Sequence, residues 1–334
     1  MNVIEIQDRD IYIMGDIHGE FHIAYARDAI KHACIILAGD CGFGFHHFKY
    51  YTGCMYQKAH RWLERNDNII ICVRGNHDDP AYYNGKLFYE ERMMCVPDYT
   101  VIKGYHNTVL CVGGAVSIDR TYRYELNALR PNGPQYWWED EVPVLDADKI
   151  REITDAGYRI DTVVSHTCPS FCYPMDKGLT NGTLGHWLCA DPMLRFDLLN
   201  ERSVMTEIYH QLVDEYDHPV KRWVYGHFHK SSKSIYDGMI CVLFDLNENQ
   251  QLPTFDHFGA LEELMKKYRT GECEHEALNE LVSKRMITWS DWIDAQQQTY
   301  EGYDEWLNKK GLRRNNRNAK CFINEVEDSF MKNQ

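Results

Sequence analysis

Short apolar runs alternate with amphipathic stretches along the first half of this chain. Ile11-Tyr12-Ile13-Met14, Cys34-Ile35-Ile36-Leu37-Ala38 and Ile69-Ile70-Ile71-Cys72-Val73 are continuous apolar runs of strand length. Between them the spacing predicts helices over about 21–33 and 55–65. Strands without a polar face belong inside a sheet that is covered on both sides. Four further runs follow: Thr108-Val109-Leu110-Cys111-Val112, Asp161-Thr162-Val163-Val164, Arg222-Trp223-Val224-Tyr225 and Met239-Ile240-Cys241-Val242-Leu243-Phe244. Their closer spacing predicts a second sheet packed on the first. The expected fold is α/β, a layered α/β/β/α sandwich of two packed mixed sheets flanked by helices.

Two regions depart from this rhythm. Residues 117–143 are rich in Arg, aromatic residues, Gly and Pro without a clear period, and read as a structured loop. Helical segments are expected between Asp191 and Tyr216. After Pro253 the pattern becomes helical. Phe258, Leu261, Leu264, Met265 and Tyr268 mark one amphipathic helix; Leu278, Leu281 and Val282 mark part of another. The expected division is a catalytic domain over 1–252 and a helical C-terminal extension over 253–334, ending in a polar, basic, frayed tail. Trp289, Trp292 and Trp306 are expected to pack back on the catalytic domain, with a partner or subunit contact through these helices as the alternative.

Composition narrows the functional classes. The chain has 334 residues, 44% of them hydrophobic, enough for a sizeable core. Its formal net charge of −14 argues against a coat for extended nucleic acid, which needs concentrated Lys and Arg. A small phosphorylated substrate held at metal ions stays compatible with that charge. The twelve cysteines include no CxxC pair, and those in apolar runs behave as small hydrophobes. With no signal-peptide pattern and no apolar stretch of bilayer length, the expectation is a cytoplasmic protein without a membrane partner.

Five short polar segments carry the candidate chemistry. They are Gly15-Asp16-Ile17-His18-Gly19, Gly39-Asp40, Gly75-Asn76-His77-Asp78, Ser165-His166 and Gly226-His227-Phe228-His229. Any one alone is an ordinary turn. In series, most of them directly after apolar runs, they place oxygen and imidazole ligands at neighbouring strand ends, where sheet enzymes build their sites. Carboxylates and imidazoles suit manganese, iron or zinc.

These segments resemble, block for block, the calcineurin-like metallophosphoesterase superfamily, over roughly residues 11–244. The resemblance implies two divalent metal ions, manganese expected and iron or zinc accepted. Asp16, His18, Asp40 and His229 would bind one ion. Asp40 would bridge to a second, completed by Asn76, His166 and His227. His77 would face the substrate as general acid or transition-state stabiliser. The implied reaction is phosphate-ester hydrolysis by a metal-bridging hydroxide.

Gly-Asp-Ile-His-Gly and Arg74-Gly75-Asn76-His77 are similar to the serine/threonine protein phosphatase branch, but the second block departs from it. Phe43 and Gly44 stand where that branch has an Asp supporting the catalytic His and an Arg gripping phosphate. A replacement clamp is expected in the middle region, with Arg120 and Arg123 binding substrate phosphate beside Asn76. The segment from Gly113 to Arg120, followed by Arg123 and Trp137-Trp138-Glu139, resembles less-characterised bacterial and phage members. The expected function is a phosphomonoester phosphatase acting on proteins or small molecules. The rivals are a phosphodiesterase or nuclease on the same centre, and a catalytically silent binding protein of the same fold.

Overall fold

The computed structural model describes residues 1–129, 133–174, 184–253, 259–297 and 299–332. In chain order the strands are β1 (Val3–Gln7), β2 (Asp10–Met14), β3 (Ala33–Leu37), β4 (Ile69–Cys72), β5 (Tyr89–Glu90), β6 (Met93–Cys95) and β7 (Thr100–Gly104). They continue as β8 (Thr108–Val112), β9 (Thr162–Ser165), β10 (Arg222–Tyr225), β11 (Ser232–Tyr236), β12 (Met239–Leu243) and β13 (Asn249–Gln251). One sheet has seven strands in the order β1-β7-β8-β9-β10-β12-β11, and the other six in the order β13-β2-β3-β4-β6-β5. In the six-stranded sheet β2, β3, β4 and β6 run parallel, with antiparallel strands at both edges.

The continuous apolar runs are explained by burial on both faces. Along β2 and β3, Ile11, Ile13, Cys34 and Ile36 point to the other sheet, where they meet Val109, Cys111, Val164, Val224 and Val242. Their neighbours Met14, Ile35 and Leu37 point outward, under the helix Tyr56–Arg65 and its preceding turn, against Tyr51, Ala59 and Leu63. On the far side of the seven-stranded sheet, Ile150, Ile153, Met205, Ile208 and Leu212 cover Val163 and Trp223. They come from the helices Ala147–Asp155 and Leu194–His210 and the turn that follows. The result is the expected four-layer sandwich. Strands β1, β5, β6, β7, β11 and β13 were not anticipated, because several are very short or carry polar residues on an exposed edge.

Three expectations need correction. The helix expected over 21–33 is a single turn and a little more, Phe21–Tyr25; only Phe21 and Ala24 of it are buried. The irregular middle region contains a helix, Arg120–Leu129. It has no buried residue, so it leaves no apolar stripe in the sequence. The basic tail is docked rather than frayed. Arg313 donates to Glu215, Arg317 pairs with the same carboxylate, and Asn316 donates to Asp217 and to the Val213 carbonyl. Ala319, Phe322 and Ile323 of the last helix are buried.

The C-terminal helices share one apolar cluster of their own, built on Leu278, Leu281, Trp292, Ile293, Tyr303 and Leu307. Leu264, Met265 and Tyr268 pack against it, as do Trp289 and Trp306, so the tryptophans pack with the other C-terminal helices rather than back on the catalytic domain as expected; Phe258 lies outside the described residues. Among the described residues no helix is long and apolar enough to cross a membrane. Trp292 is 3% exposed, and its indole N–H donates to Asn279 Oδ1 at 2.8 Å. Trp292→Ala should therefore cost about 3–5 kcal/mol of stability in the extension. Chemical denaturation followed by tryptophan fluorescence checks this, and a loss below about 1 kcal/mol would show the cluster to be loosely packed.

Candidate metal centre

All five polar segments begin where a strand stops. Asp16 follows β2, Asp40 follows β3, Asn76 follows β4, His166 follows β9 and His227 follows β10. Strands β2, β3 and β4 are neighbours in one sheet, and β9 and β10 are neighbours in the other. Both sheets therefore deliver their segments to one edge of the sandwich.

The first group of side chains is Asp16, His18, Asp40 and His229. One ligand atom from each lies within 4.8 Å of all the others. His18 Nε2 faces His229 Nε2 at 3.0 Å, and His229 Nε2 lies 3.2 Å from Asp16 Oδ2. Two neutral imidazoles meeting lone pair to lone pair repel unless a proton or a metal cation sits between them.

The second group has the same character. His166 Nδ1 donates to the Ala38 carbonyl at 2.8 Å, which in the neutral imidazole leaves Nε2 as a lone pair, free for a proton or a metal cation. That lone pair meets Asn76 Oδ1 at 2.9 Å and Asp40 Oδ1 at 3.2 Å. Three acceptors thus converge in a buried space, with the His227 ring 4.9 Å from that of His166. A cation resolves this arrangement; apolar packing does not. Burial would lower the His166 pKa, but the Asp40 and Asp16 carboxylates overrule it and hold it up at about 10. The donor set fits divalent metal at both groups, with Asp40 shared between them.

Backbone geometry shows how closely the segments approach. His18, Asp40, His227 and His229 all adopt the left-handed region, with φ of 42°, 46°, 69° and 47°. Such conformations cost about 1–3 kcal/mol each in a non-glycine residue and concentrate at functional sites. Gly75 and Gly226 have a different reason to be glycine. A Cβ on Gly75 would collide with the Asp40 backbone nitrogen and Oδ1, and one on Gly226 with Asp16 Oδ1.

Asp78 received no role from the sequence, where it reads as a turn residue. It is fully buried and accepts from the backbone N–H of Cys41, Gly42, Phe43 and Gly75 at 2.7–3.0 Å. One carboxylate thereby ties the Asp40 loop to the Asn76-His77 loop. Phe43 and Gly44, where the protein phosphatases have Asp and Arg, belong to a different construction. Phe43 is the hub of an aromatic core with Phe21, Tyr51, Tyr82 and Phe88 at centroid distances of 4.8–5.4 Å. Gly44, at φ 107°, makes room for the indole of Trp138.

The two candidate clamp residues separate. Arg120 is corrected: its Nε and Nη2 donate to Asp191 and Asp197, both at 2.6 Å, so the guanidinium is engaged in a structural ion-pair triad. Arg123, one helical turn on, reaches the site instead. Its Nη2 donates to His77 Nε2 at 2.7 Å, while Asp119 Oδ1 accepts from its Nε at 2.6 Å. Burial, opposed by Asp40 but reinforced by Arg123 and His18, lowers the His77 pKa to about 4. The His77 backbone N–H donates to Asp40 Oδ1 at 2.8 Å. His22, His46, His47 and His186 are exposed outside the cluster. Cys168 and Cys172 are buried with Cys241 in the outer core of the seven-stranded sheet.

This arrangement is a candidate metal site, and comparison with known proteins identifies the family of the chain. The model of the calcineurin-like phosphoesterase family matches residues 10–231, more than half of the chain, and the chain belongs to that family. Solved structures of similar fold include the phosphopantetheinyl hydrolase PptH from Mycobacterium tuberculosis, 15% identical with a TM-score of 0.42. It aligns over 75% of this chain and 98% of its own. A dimetal phosphatase from Danio rerio is 11% identical at a TM-score of 0.37, over 72% of this chain and 88% of its own. No curated protein matches the chain significantly.

Metal and proton should compete for this site, with a definite sign. The folded-state pKa of His166, about 10, lies above the usual 6.5. Its protonation therefore stabilises the metal-free protein fully below about pH 6.5, and that stability is lost as pH rises through about 10. The Tm of chelated protein should fall across this window. Saturating divalent metal replaces the proton, so it should flatten the slope and raise Tm most at the alkaline end. Parallel profiles with and without metal would contradict the assignment.

Proposed function

We propose that this protein is a binuclear metal-dependent phosphatase acting on phosphomonoesters. The observation that carries this reading is the guanidinium of Arg123 held against His77, at the mouth of the convergent acceptor cluster. Asp16, His18, Asp40 and His229 would hold one ion, and Asp40, Asn76, His166 and His227 the other. Bound there, the ions would supply Lewis acidity toward water and the phosphoryl oxygens. Manganese is the expected ion.

The protein's own residues set orientation and proton traffic. Arg123 presents donors to a terminal phosphate, and Asp119 keeps its fork directed at the site. At rest His77 is neutral, its Nε2 accepting from Arg123. An arriving dianion would draw the guanidinium onto itself and favour protonation at Nε2, because a nearby anion stabilises imidazolium. His77 could then donate to the leaving oxygen. A monoester carries the second negative charge that this pairing uses; a diester does not.

A substrate panel on manganese-reconstituted protein tests the reading, with phosphopeptides, nucleotides, a cyclic nucleotide, a bis-nitrophenyl ester and single-stranded DNA. Asp40→Asn and His77→Ala should abolish most turnover. Arg123→Ala should lower kcat/KM on monoesters by about 10²–10³-fold, the usual loss for a charged donor at the reacting group, with less effect on diesters. Preference for the diester or DNA, insensitive to Arg123, would favour the diesterase reading. Wild-type activity that persists in Asp40→Asn would overturn the mechanism.

A further inference from the structure

The segment that carries Arg123 also touches the metal ligands, through its base. Ser117 opens this strap and Glu141 closes it, and the two meet although 24 residues separate them. Glu141 Oε1 accepts the Ser117 backbone N–H at 2.7 Å, and Glu141 Oε2 accepts the Ser117 hydroxyl at 2.6 Å. Ser117 Oγ in turn accepts from Asn76 Nδ2 at 2.9 Å. All three residues are at most 2% exposed, so water does not substitute for a missing partner.

The polarity of this chain of bonds decides how Asn76 stands. Burial pushes the Glu141 pKa up to about 7; above that pH its ionised carboxylate only accepts, so the single hydroxyl proton of Ser117 is committed to Glu141. Ser117 Oγ then has only lone pairs left for Asn76, and an acceptor can face only the NH2 end of the amide. The carbonyl end, Oδ1, must therefore turn to the cluster, where it meets His166 Nε2 at 2.9 Å. An amide oxygen is a metal ligand, whereas an amide NH2 is not.

We infer that Glu141 and Ser117 are positioning residues that select the metal-binding face of Asn76. The inference rests on the proposed binuclear reading. Neither residue is in the ligand set, and Glu141 reaches the ion only through two intervening hydrogen bonds. Arg74 supports the same base from below. Its guanidinium donates to the carbonyls of Asp140, Glu141 and Val142 and pairs with Asp98. One strap base thus serves two tasks: orienting the Asn76 amide and placing Arg123 at His77.

The decisive variant is Glu141→Gln, which keeps shape and reverses polarity. The new amide would keep accepting the Ser117 N–H through its oxygen and would donate to Ser117 Oγ through its NH2. The hydroxyl proton would then swing to Asn76, whose Oδ1 must turn to receive it, leaving NH2 facing the cluster. Titration of metal-stripped protein with Mn²⁺, by calorimetry and by competition with a chelator, reads the consequence. Wild type should bind two ions. Glu141→Gln should keep one at wild-type affinity and bind the other about 10–100-fold more weakly, the usual effect of altering a group that orients a ligand. Ser117→Ala should weaken the same ion, and Ser117→Thr, which keeps the hydroxyl, should restore it. Retention of the unaffected ion shows in the same titration that the variant is folded. Wild-type affinity for both ions in Glu141→Gln, or equal weakening of both, would overturn the inference. Wild-type protein that takes up only one ion would overturn the binuclear reading together with it.

Discussion

The site depends on how closely strand ends from two sheets can approach. A side chain on Gly75 or Gly226 would occupy the space taken by Asp40 or Asp16, and one on Gly39 would collide with the imidazole of His166. Removing Cβ at these positions lets ligands from β2, β3, β4, β9 and β10 share one small volume. The left-handed backbone at His18, Asp40, His227 and His229 follows from the same crowding, because each chain must reverse within a few residues of its strand. The apolar runs behind these turns, interleaved between the sheets, supply the rigidity that keeps strained turns in place.

Closeness alone would be ruinous without charge balance. Buried carboxylates and imidazole lone pairs repel, and each must find a donor or a cation. The structure divides this work between two kinds of carboxylate. Asp78 is saturated by four backbone N–H groups and serves to join loops. Asp16 accepts the backbone N–H of His227, and Asp40 that of His77, so lone pairs remain directed into the cluster. Buried aspartates of one site therefore behave oppositely, according to what the backbone offers each.

This division explains what was legible in the sequence. Strands buried on both faces announce themselves as continuous apolar runs, so β2, β3, β4, β8, β9, β10 and β12 were readable, and with them the layer order. The residues of the candidate metal cluster were readable because strand-end chemistry is local: Gly-Asp and Gly-His-Phe-His are contiguous. The roles of Ser117 and Glu141 were not, since their contact is made by folding across 24 positions and has no spacing signature. The helix Arg120–Leu129 escaped for a related reason, having no buried face to leave a period. Arg120 and Arg123 look alike in sequence; folding ties Arg120 to Asp191 and Asp197, whereas Arg123, held by Asp119, also reaches His77.

The described parts of the strap, residues 117–129 and 133–143, also account for how the chain departs from the protein phosphatase pattern. Once Phe43 enters the aromatic core beneath the Asp40 loop, that loop has no polar side chain to offer substrate at this position. Gly44 then has a positive role, because its missing side chain admits Trp138 and lets the strap lie against the metal loops. The cation proposed to face phosphate consequently comes from a different element, one anchored by Arg74 and closed by Glu141 on Ser117. An arginine on the metal loop itself would move only with its own strand. An arginine on the strap is tied to the Asn76 amide through the strap's base. On the proposed function, moving the clamp joins substrate recognition to the orientation of a metal ligand, and a change at the base should be felt at both.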